Sequence, residues 1–203
     1  MGLISNGSTI FDAGSMSVGG SMVFIKKLSF SGGSTTASFV HGSSGVVLDS
    51  TYKEYMFYFK DIHHEEADRN LSVNFSIDSG SNYNVEKTTT YFHTNHTEDG
   101  NNASLAYRTG TDIAAGTGAQ QLMNGIKGDA DSSGAGYMHL FNPASTTFVK
   151  HFIAGTNIMQ DNTLCQTAYI SGFVNTTSAI NALQFSVNSG ELDFGTICLY
   201  GIS

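Results

Sequence analysis

The sequence predicts an all-β fold, a jelly-roll-like antiparallel β-sandwich with an extended N-terminal arm, and two observations carry this prediction. Apolar residues recur at every second position in short runs, as in "NLSVNFSID". A period of two places alternate side chains on opposite faces of a strand, which is typical of a half-buried antiparallel sheet. Between these runs lie clusters of Gly, Ser, Asn and Asp, such as "SFSGGSTT" and "GDADSSGAGY", whose residues favour turns.

About ten short runs are expected to be strands, and nothing in the chain sustains a helical period over four turns. In chain order they span residues 22–30, 36–41, 55–62, 71–77, 87–93, 137–141, 147–154, 164–174, 183–187 and 192–200. Many short strands at this spacing favour a sandwich or a barrel, because closed or stacked sheets hide strand edges. A jelly roll is the specific prediction, although spacing alone does not separate it from other Greek-key sandwiches.

Two alternating runs supply the predicted core, and one weakly alternating segment is assigned to the surface. The core residues are Leu71, Val73, Phe75, Ile77, Leu183, Phe185 and Val187. The segment from Glu98 to Gly136 is rich in Gly and is predicted to be a long surface excursion. It is expected to contain at most one short helix, around Ala115 to Met123.

The chain is predicted to divide into an N-terminal arm, residues 1–20, and a single β-sandwich domain, residues 21–203. The arm is rich in Gly and Ser and carries isolated apolar residues. Four of them, Leu3, Ile4, Ile10 and Phe11, are predicted to bind a partner as anchors. The alternative is that the arm folds back on its own sandwich.

Composition argues against several classes of partner. Charged residues make up 13% of the chain, about half the usual fraction, and the net charge is -8. No cluster of Lys and Arg is available to bind a polyanion, so nucleic acid is not an expected partner. No apolar run approaches the roughly eighteen residues of a membrane helix, and the first residues lack the pattern of a secretory signal. Insertion into a membrane is therefore not expected.

The stretch "YKEYMFYFKDIHHEE" is the most suggestive candidate for a site. From Tyr55 to Ile62 both faces of the predicted strand are largely apolar, which indicates a central strand covered on both sides. His63, His64, Glu65 and Glu66 follow it. Consecutive residues on an extended chain point apart, so the two histidines are poorly placed to chelate one ion. The segment is interpreted as a solvated turn at the end of the strand.

Other polar clusters are also interpreted as surface loops. His93 and His96 lack the further ligands of a zinc site. Asp129 and Asp131 begin a spacing that resembles a calcium loop, but Leu140 stands where the bidentate glutamate would be. No serine lies in a nucleophile elbow, and no pair of carboxylates is expected to face across a cleft. The chain is therefore predicted to be no enzyme, with no catalytic residue, no metal site and no cofactor.

The two cysteines, Cys165 and Cys198, lie within apolar runs. Free cysteine in such a run behaves as a small hydrophobic residue, so both are predicted to be buried. A disulfide or a metal role is the alternative.

Several segments resemble a group of small virion structural proteins from tailed phages of marine bacteria and cyanobacteria. They include "SGSNYN", "GYMHLFNPASTTFVKHFIA" and the end "GELDFGTICLYGIS", and the similarity extends over most of the chain. The resemblance implies a virion component on the particle surface, made in the host cytoplasm and built as a jelly roll. It carries over no functional residue.

The expected function is thus that of a non-enzymatic virion surface protein, most directly head decoration or cement. Its expected partners are other copies of itself, as a homo-oligomer and most simply a trimer, and other virion proteins. A tail-fibre or knob subunit is the first alternative. A lectin-like module for host surface glycans is the second, and aromatic residues clustered on an exposed face would favour it. The absence of Trp removes the commonest stacking residue. A hydrolase is a third class, which would need convergent carboxylates.

Overall fold

The computed structural model describes residues 21–160 and 163–203, and the backbone of three short segments before them, 3–5, 8–12 and 15–16. The regular elements in this part of the chain are β-strands, grouped in three antiparallel sheets. Among these residues no helix is long and apolar enough to cross a membrane. The prediction of an all-β sandwich is confirmed.

The N-terminal segments form a small sheet of their own. Its strands, in the order β1-β2-β3, are β1 (Leu3–Ser5), β2 (Ser8–Asp12) and β3 (Ser15–Met16). The predicted arm thus turns back on itself instead of running as one extended segment. The side chains of Leu3, Ile4, Ile10 and Phe11 lie outside the described residues. Their role as anchors, and the domain boundary after residue 20, stay predictions.

The two larger sheets form the sandwich. The four-stranded sheet has the order β10-β7-β14-β5, with β5 (Thr36–Val40), β7 (Arg69–Ser76), β10 (Gln120–Ile126) and β14 (Ala182–Val187). The eight-stranded sheet has the order β4-β15-β6-β11-β12-β13-β8-β9. Its strands are β4 (Met22–Phe30), β6 (Glu54–His64), β8 (Lys87–Thr97), β9 (Ala103–Tyr107), β11 (Gly134–Phe141), β12 (Lys150–Gln160), β13 (Leu164–Val174) and β15 (Leu192–Ile202).

The core lies between these two sheets and contains most of the predicted residues. Leu71, Val73, Phe75, Leu183 and Phe185 are fully buried, and Val187 is partly buried against them. The prediction for Ile77 is wrong, because 44% of its surface is exposed. The strand β7 ends one residue earlier, at Ser76, and the chain then turns through Ser79 and Gly80, both with positive φ.

The aromatic strand β6 occupies the position that its two apolar faces predict. It lies in the interior of the large sheet, between β15 and β11. Tyr55, Phe57 and Phe59 are buried on its inner face. A bulge follows at Asp61, where φ is +51° and the register with both neighbouring strands shifts. The extra residue changes the alternation, so that Ile62 points inward.

The segment between Glu98 and Gly136 differs from its prediction. It contains the strands β9 and β10 and the start of β11, and no helix over Ala115 to Met123. The strand β10 pairs with β7 and buries Leu122, Met123 and Ile126 in the core. Burial of these apolar side chains between the sheets overrides the weak local alternation that favoured a surface loop.

Two lysines are fully buried at one end of the large sheet, where both pair in register with the same residue, Val174. Lys87 Nζ donates to the carbonyl oxygens of Val85 and Gly118. Lys150 Nζ donates to two carbonyl oxygens in the segment 176–178. Burial lowers the pKa of Lys87 to about 8 and also lowers the pKa of Lys150. Each ammonium group thus ties a loop to the sheet.

Candidate functional site

A cleft of about 590 Å³ opens where β6 ends and β15 begins. Acidic side chains, one histidine and one exposed ring line it, among them Asp61, His63, Glu65, Asp131, Asp193 and Phe194. The segment that the sequence analysis assigned to a solvated turn therefore contributes to a concave surface. The cleft gathers a histidine and several carboxylates, side chains that in other proteins act as general acids and bases.

His63 uses both of its ring nitrogens within the protein. Nδ1 lies 2.6 Å from Asp193 Oδ1, and Nε2 lies 2.9 Å from the carbonyl oxygen of Asp129. A carbonyl oxygen only accepts hydrogen bonds, so Nε2 carries a proton. Burial alone would lower the pKa of His63, but the hydrogen bonds to Asp193 and Asp129 and the charge of Asp193 together raise it. With Nε2 committed to Asp129, the ring has no nitrogen free to deprotonate a serine.

His64 has the opposite environment. It is fully buried, and neither ring nitrogen has a hydrogen-bond partner among the described residues. Burial, together with the positive charge of the neighbouring His63, lowers the pKa of His64 to about 4. The expectation of a solvated turn is therefore wrong for both histidines. The bulge at Asp61 leaves His63 in the cleft and turns His64 into the core.

We expect His64 to make the stability of the fold depend on pH. A histidine with its ordinary pKa of 6.5 in the unfolded chain and about 4 in the folded chain stabilises the fold above pH 6.5 and loses that contribution as pH falls toward 4. The free energy of unfolding should fall by about 2 kcal/mol between pH 7 and pH 5 from this group alone. His63, whose pKa is raised above 6.5, has the opposite effect: it stabilises the fold at pH values below 6.5, and this stabilisation is lost as pH rises through its folded-state pKa.

Urea unfolding of the wild type and of His64→Leu at pH 7 and pH 5 checks this. His64→Leu should remove most of the difference between the two pH values. His96→Leu is the matched control, since His96 is exposed on β8, and it should keep the wild-type dependence. An equal pH dependence in all three proteins would contradict the assignment to His64.

The other predicted loop residues occupy different positions. His93 and His96 lie on β8, where His93 is buried and His96 is exposed, so the assignment to a loop is wrong. Asp129 and Asp131 do lie between strands, and Asp129 contributes its carbonyl oxygen to His63. In the described ranges, no group of three or more His, Cys, Asp or Glu side chains is arranged to hold a metal ion.

The two cysteines are free and differ in exposure. Cys198 is buried, as predicted. The prediction for Cys165 is wrong, because it is exposed on the outer face of β13 while the next residue, Gln166, points inward. Asn157 Nδ2 donates a hydrogen bond to Cys165 Sγ at 3.2 Å.

The outer face of the eight-stranded sheet carries a row of aromatic residues. Six consecutive cross-strand partners on β6, β11, β12, β13, β8 and β9 form the row, and five of them are aromatic: Tyr58, Tyr137, Gly155, Tyr169, Phe92 and Tyr107. None of the six has a charged side chain. We call this set the aromatic row.

Much of the aromatic row is accessible to solvent. The exposed fractions of Phe92, Tyr169 and Tyr107 are 41%, 45% and 51%. The rings of Phe92 and Tyr169 stack, with centroids 5.4 Å apart and planes 24° apart. Other large apolar side chains on the same sheet are also exposed, such as Phe24 at 56% and Ile153 at 47%. Extended exposed apolar patches on soluble proteins commonly mark interaction sites.

No family model matches the chain, and neither a curated protein nor a solved structure matches it. Inferences about function therefore depend on the residues and the geometry of this chain.

Sequence reasoning did not find the aromatic row, although one signal was present. The alternation within β6 and within β13 predicts which residues point outward, and Tyr58 and Tyr169 are among them. Their alignment required the order of the strands, because β6 and β13 are far apart in sequence and are separated by β11 and β12 in the sheet. Strand order between distant segments is a tertiary property that local alternation does not encode.

Proposed function

We propose that this chain is a non-enzymatic surface protein of a tailed-phage particle, acting in head decoration or cement. The resemblance of its segments to small virion proteins suggests this class. The observation that carries the proposal is the broad exposed face of the eight-stranded sheet with its aromatic row. A protein that works through contact needs such a face, whereas both ring nitrogens of His63 in the cleft are already hydrogen-bonded within the protein. A tail-fibre or knob subunit is the alternative location.

The order of the strands supports a jelly roll as the specific architecture. From β5 onward the chain alternates between the two sheets. The strands β5, β7, β10 and β14 belong to the four-stranded sheet, and between them the chain passes to the eight-stranded sheet for β6, then for β8 and β9, and then for β11 to β13. Repeated crossing between two antiparallel sheets is typical of Greek-key sandwiches, of which the jelly roll is the doubled form. In this interpretation β11, β12 and β13 together take the place of one strand.

Immunogold electron microscopy of purified particles tests the proposed role. Antibodies against the chain should label the head shell in many copies. Labelling confined to the tail tip would replace the decoration role by the tail-fibre or knob role. A chain that is absent from purified particles while present in the infected cell would contradict the virion proposal altogether.

We further propose that the first twenty residues mediate association with other copies or with the particle. Only one charged residue, Asp12, precedes Lys26, so association should rest on apolar burial and backbone pairing. Several weak arms of one oligomer, most simply a trimer, would reinforce each other. Deleting residues 1–20 should leave the sandwich folded and weaken association, and wild-type association should persist at high salt.

Light scattering of the two proteins at low and high salt, with unfolding curves, measures this prediction. Equal association after the deletion would show that the arm is not the contact. Loss of the fold would show that the arm is part of the domain.

A further inference from the structure

A groove crosses the aromatic row at Gly155, on the outer face of the large sheet. Its volume is about 290 Å³, near the lower end of the range for small-molecule sites. Five residues define it, and we call it the Gly155 groove: Tyr137, Gly155, Asn157, Thr167 and Tyr169. They come from three neighbouring strands, β11, β12 and β13, so the site is built on the rigid interior of a sheet and not on loops.

Because position 155 has no side chain, the ring of Tyr137 can lie over the main chain there. A Cβ atom placed on Gly155 would stand 2.9 Å from Tyr137 Cζ, so the tyrosine ring lies close over the glycine backbone. Gly155 is paired in register with Tyr137 on one side and with Tyr169 on the other. The groove is therefore lined by the Tyr137 ring, which lies over Gly155, and by Tyr169 on the next strand.

Neighbouring side chains contact both rings. Tyr169 stacks on Phe92, and the ring of Tyr137 makes an edge contact with His139 at a centroid distance of 5.3 Å and an angle of 88°. His139 is in turn paired with Glu54. Rings held in this way lose little conformational freedom when a ligand binds, which favours affinity from a small contact area.

The polar groups of the groove are neutral and only partly used. Asn157 Nδ2 donates to the carbonyl oxygen of Gln166 at 3.0 Å and to Thr167 Oγ1 at 3.1 Å. Because Thr167 Oγ1 accepts that bond, its own proton remains available to donate. Among the described residues, no donor is bonded to Asn157 Oδ1, and neither tyrosine hydroxyl has a partner. The groove lining carries no ionised side chain.

We propose that the Gly155 groove binds a neutral saccharide. A sugar ring presents a C–H face that suits an aromatic wall, and hydroxyl groups that both donate and accept hydrogen bonds. The groove matches both features, with the Tyr169 and Tyr137 rings as walls and the amide and hydroxyl groups of Asn157 and Thr167 beside them. A charged ligand would find no counter-ion there. A flat protein surface would cover these polar groups without reaching into the groove to pair them.

This inference rests on the proposed surface role and deepens it: the Gly155 groove would face away from the particle and bind host glycans, while contact with the shell would fall to other exposed parts of the sheet, such as the edge at Phe24. Its test uses the isolated chain and needs no particle. If the chain binds no sugar, the proposed location in the virion is unaffected. If the chain is absent from the particle, the proposed sugar site is unaffected.

Saturation-transfer NMR and calorimetry with methyl glycosides test the proposal. The probes are the methyl glycosides of glucose, galactose, mannose and N-acetylglucosamine, with a methyl glucuronide and a methyl sialoside as charged probes. At least one neutral glycoside should bind at millimolar concentration, and the charged probes should bind more weakly. Tyr169→Ala should weaken that binding by about tenfold or more, and Thr167→Val should weaken it by a smaller factor.

Phe24→Ala is the matched control, because Phe24 is an exposed aromatic residue at the far edge of the same sheet. It should bind the glycoside as the wild type does, and unfolding curves establish that each variant is folded. No binding of any neutral glycoside to the wild type would overturn the proposal, as would full binding by folded Tyr169→Ala and Thr167→Val. If Tyr169→Ala instead dissociates an oligomer, the groove lies in an interface between copies and the proposal is likewise overturned.

Discussion

Replacing Phe185 by alanine is expected to lower the free energy of unfolding by about 3 to 5 kcal/mol. The Phe185 ring on β14 meets the rings of Phe39, Phe57 and Phe59 edge to face, at centroid distances of 6.1, 5.4 and 5.2 Å. Phe39 belongs to the same sheet, but Phe57 and Phe59 belong to the opposite one. The substitution would therefore remove two of the aromatic contacts between the sheets and leave a cavity in the core.

Guanidinium unfolding followed by circular dichroism measures this loss. Phe194→Ala is the control, because the Phe194 side chain is 61% exposed, and its loss should be below about 1 kcal/mol. A similarly small loss for Phe185→Ala would mean that the two sheets do not depend on this aromatic cluster.

Gly136→Ala is expected to destabilise the protein by about 3 kcal/mol or more, although it adds a single methyl group. The new Cβ would lie 2.4 Å from the carbonyl oxygen of Gly155 and 2.8 Å from Thr156 Cα. Both atoms are main chain on the paired strand β12, so no side-chain rotation can make room. The strands β11 and β12 would have to separate in the middle of the large sheet.

The melting temperature of Gly136→Ala should therefore fall well below that of the wild type. Gly110→Ala is the matched control, because a Cβ there meets nothing within 4 Å and the residue has no positive φ. Its melting temperature should be unchanged or slightly higher. Equal melting temperatures for the two variants would show that the sheet accommodates the extra atom.

The sequence was a good guide where apolar and polar residues alternate cleanly. The predicted bounds of β4 and β13, 22–30 and 164–174, match the structure, and β6 has its predicted central place in the sheet, although its outer face, with Tyr58, is only partly covered. The strand β10 was missed because two register shifts break its alternation, so that Leu122 and Met123 are both buried, and because it begins at a buried polar residue, Gln120. The Gln120 amide is satisfied by Thr89 Oγ1 and by the carbonyl oxygen of Thr111, partners that only the tertiary fold brings close.

The candidate sites were harder to predict than the strands. The bulge at Asp61 leaves His63 in the cleft and His64 in the core. The position of this bulge is set by the pairing of β6 with β11 and β15. Likewise, the Gly155 groove depends on which residue of β13 stands opposite Gly155. Cross-strand register is decided by the whole sheet, and a local pattern carries little information about it.

The two buried lysines have a consequence for the colloidal behaviour of the protein. Lys87 and Lys150 place two positive charges in the interior, and a pKa of about 8 keeps Lys87 mostly protonated at pH 7. Both charges still count toward the net charge of -8, because the field outside a protein follows its total charge, buried groups included. As pH rises through about 8, Lys87 loses its proton and the net charge becomes more negative by one unit from this group alone. Repulsion between copies in dilute buffer should therefore grow over a pH range in which an ordinary lysine would stay charged, and added salt should weaken it.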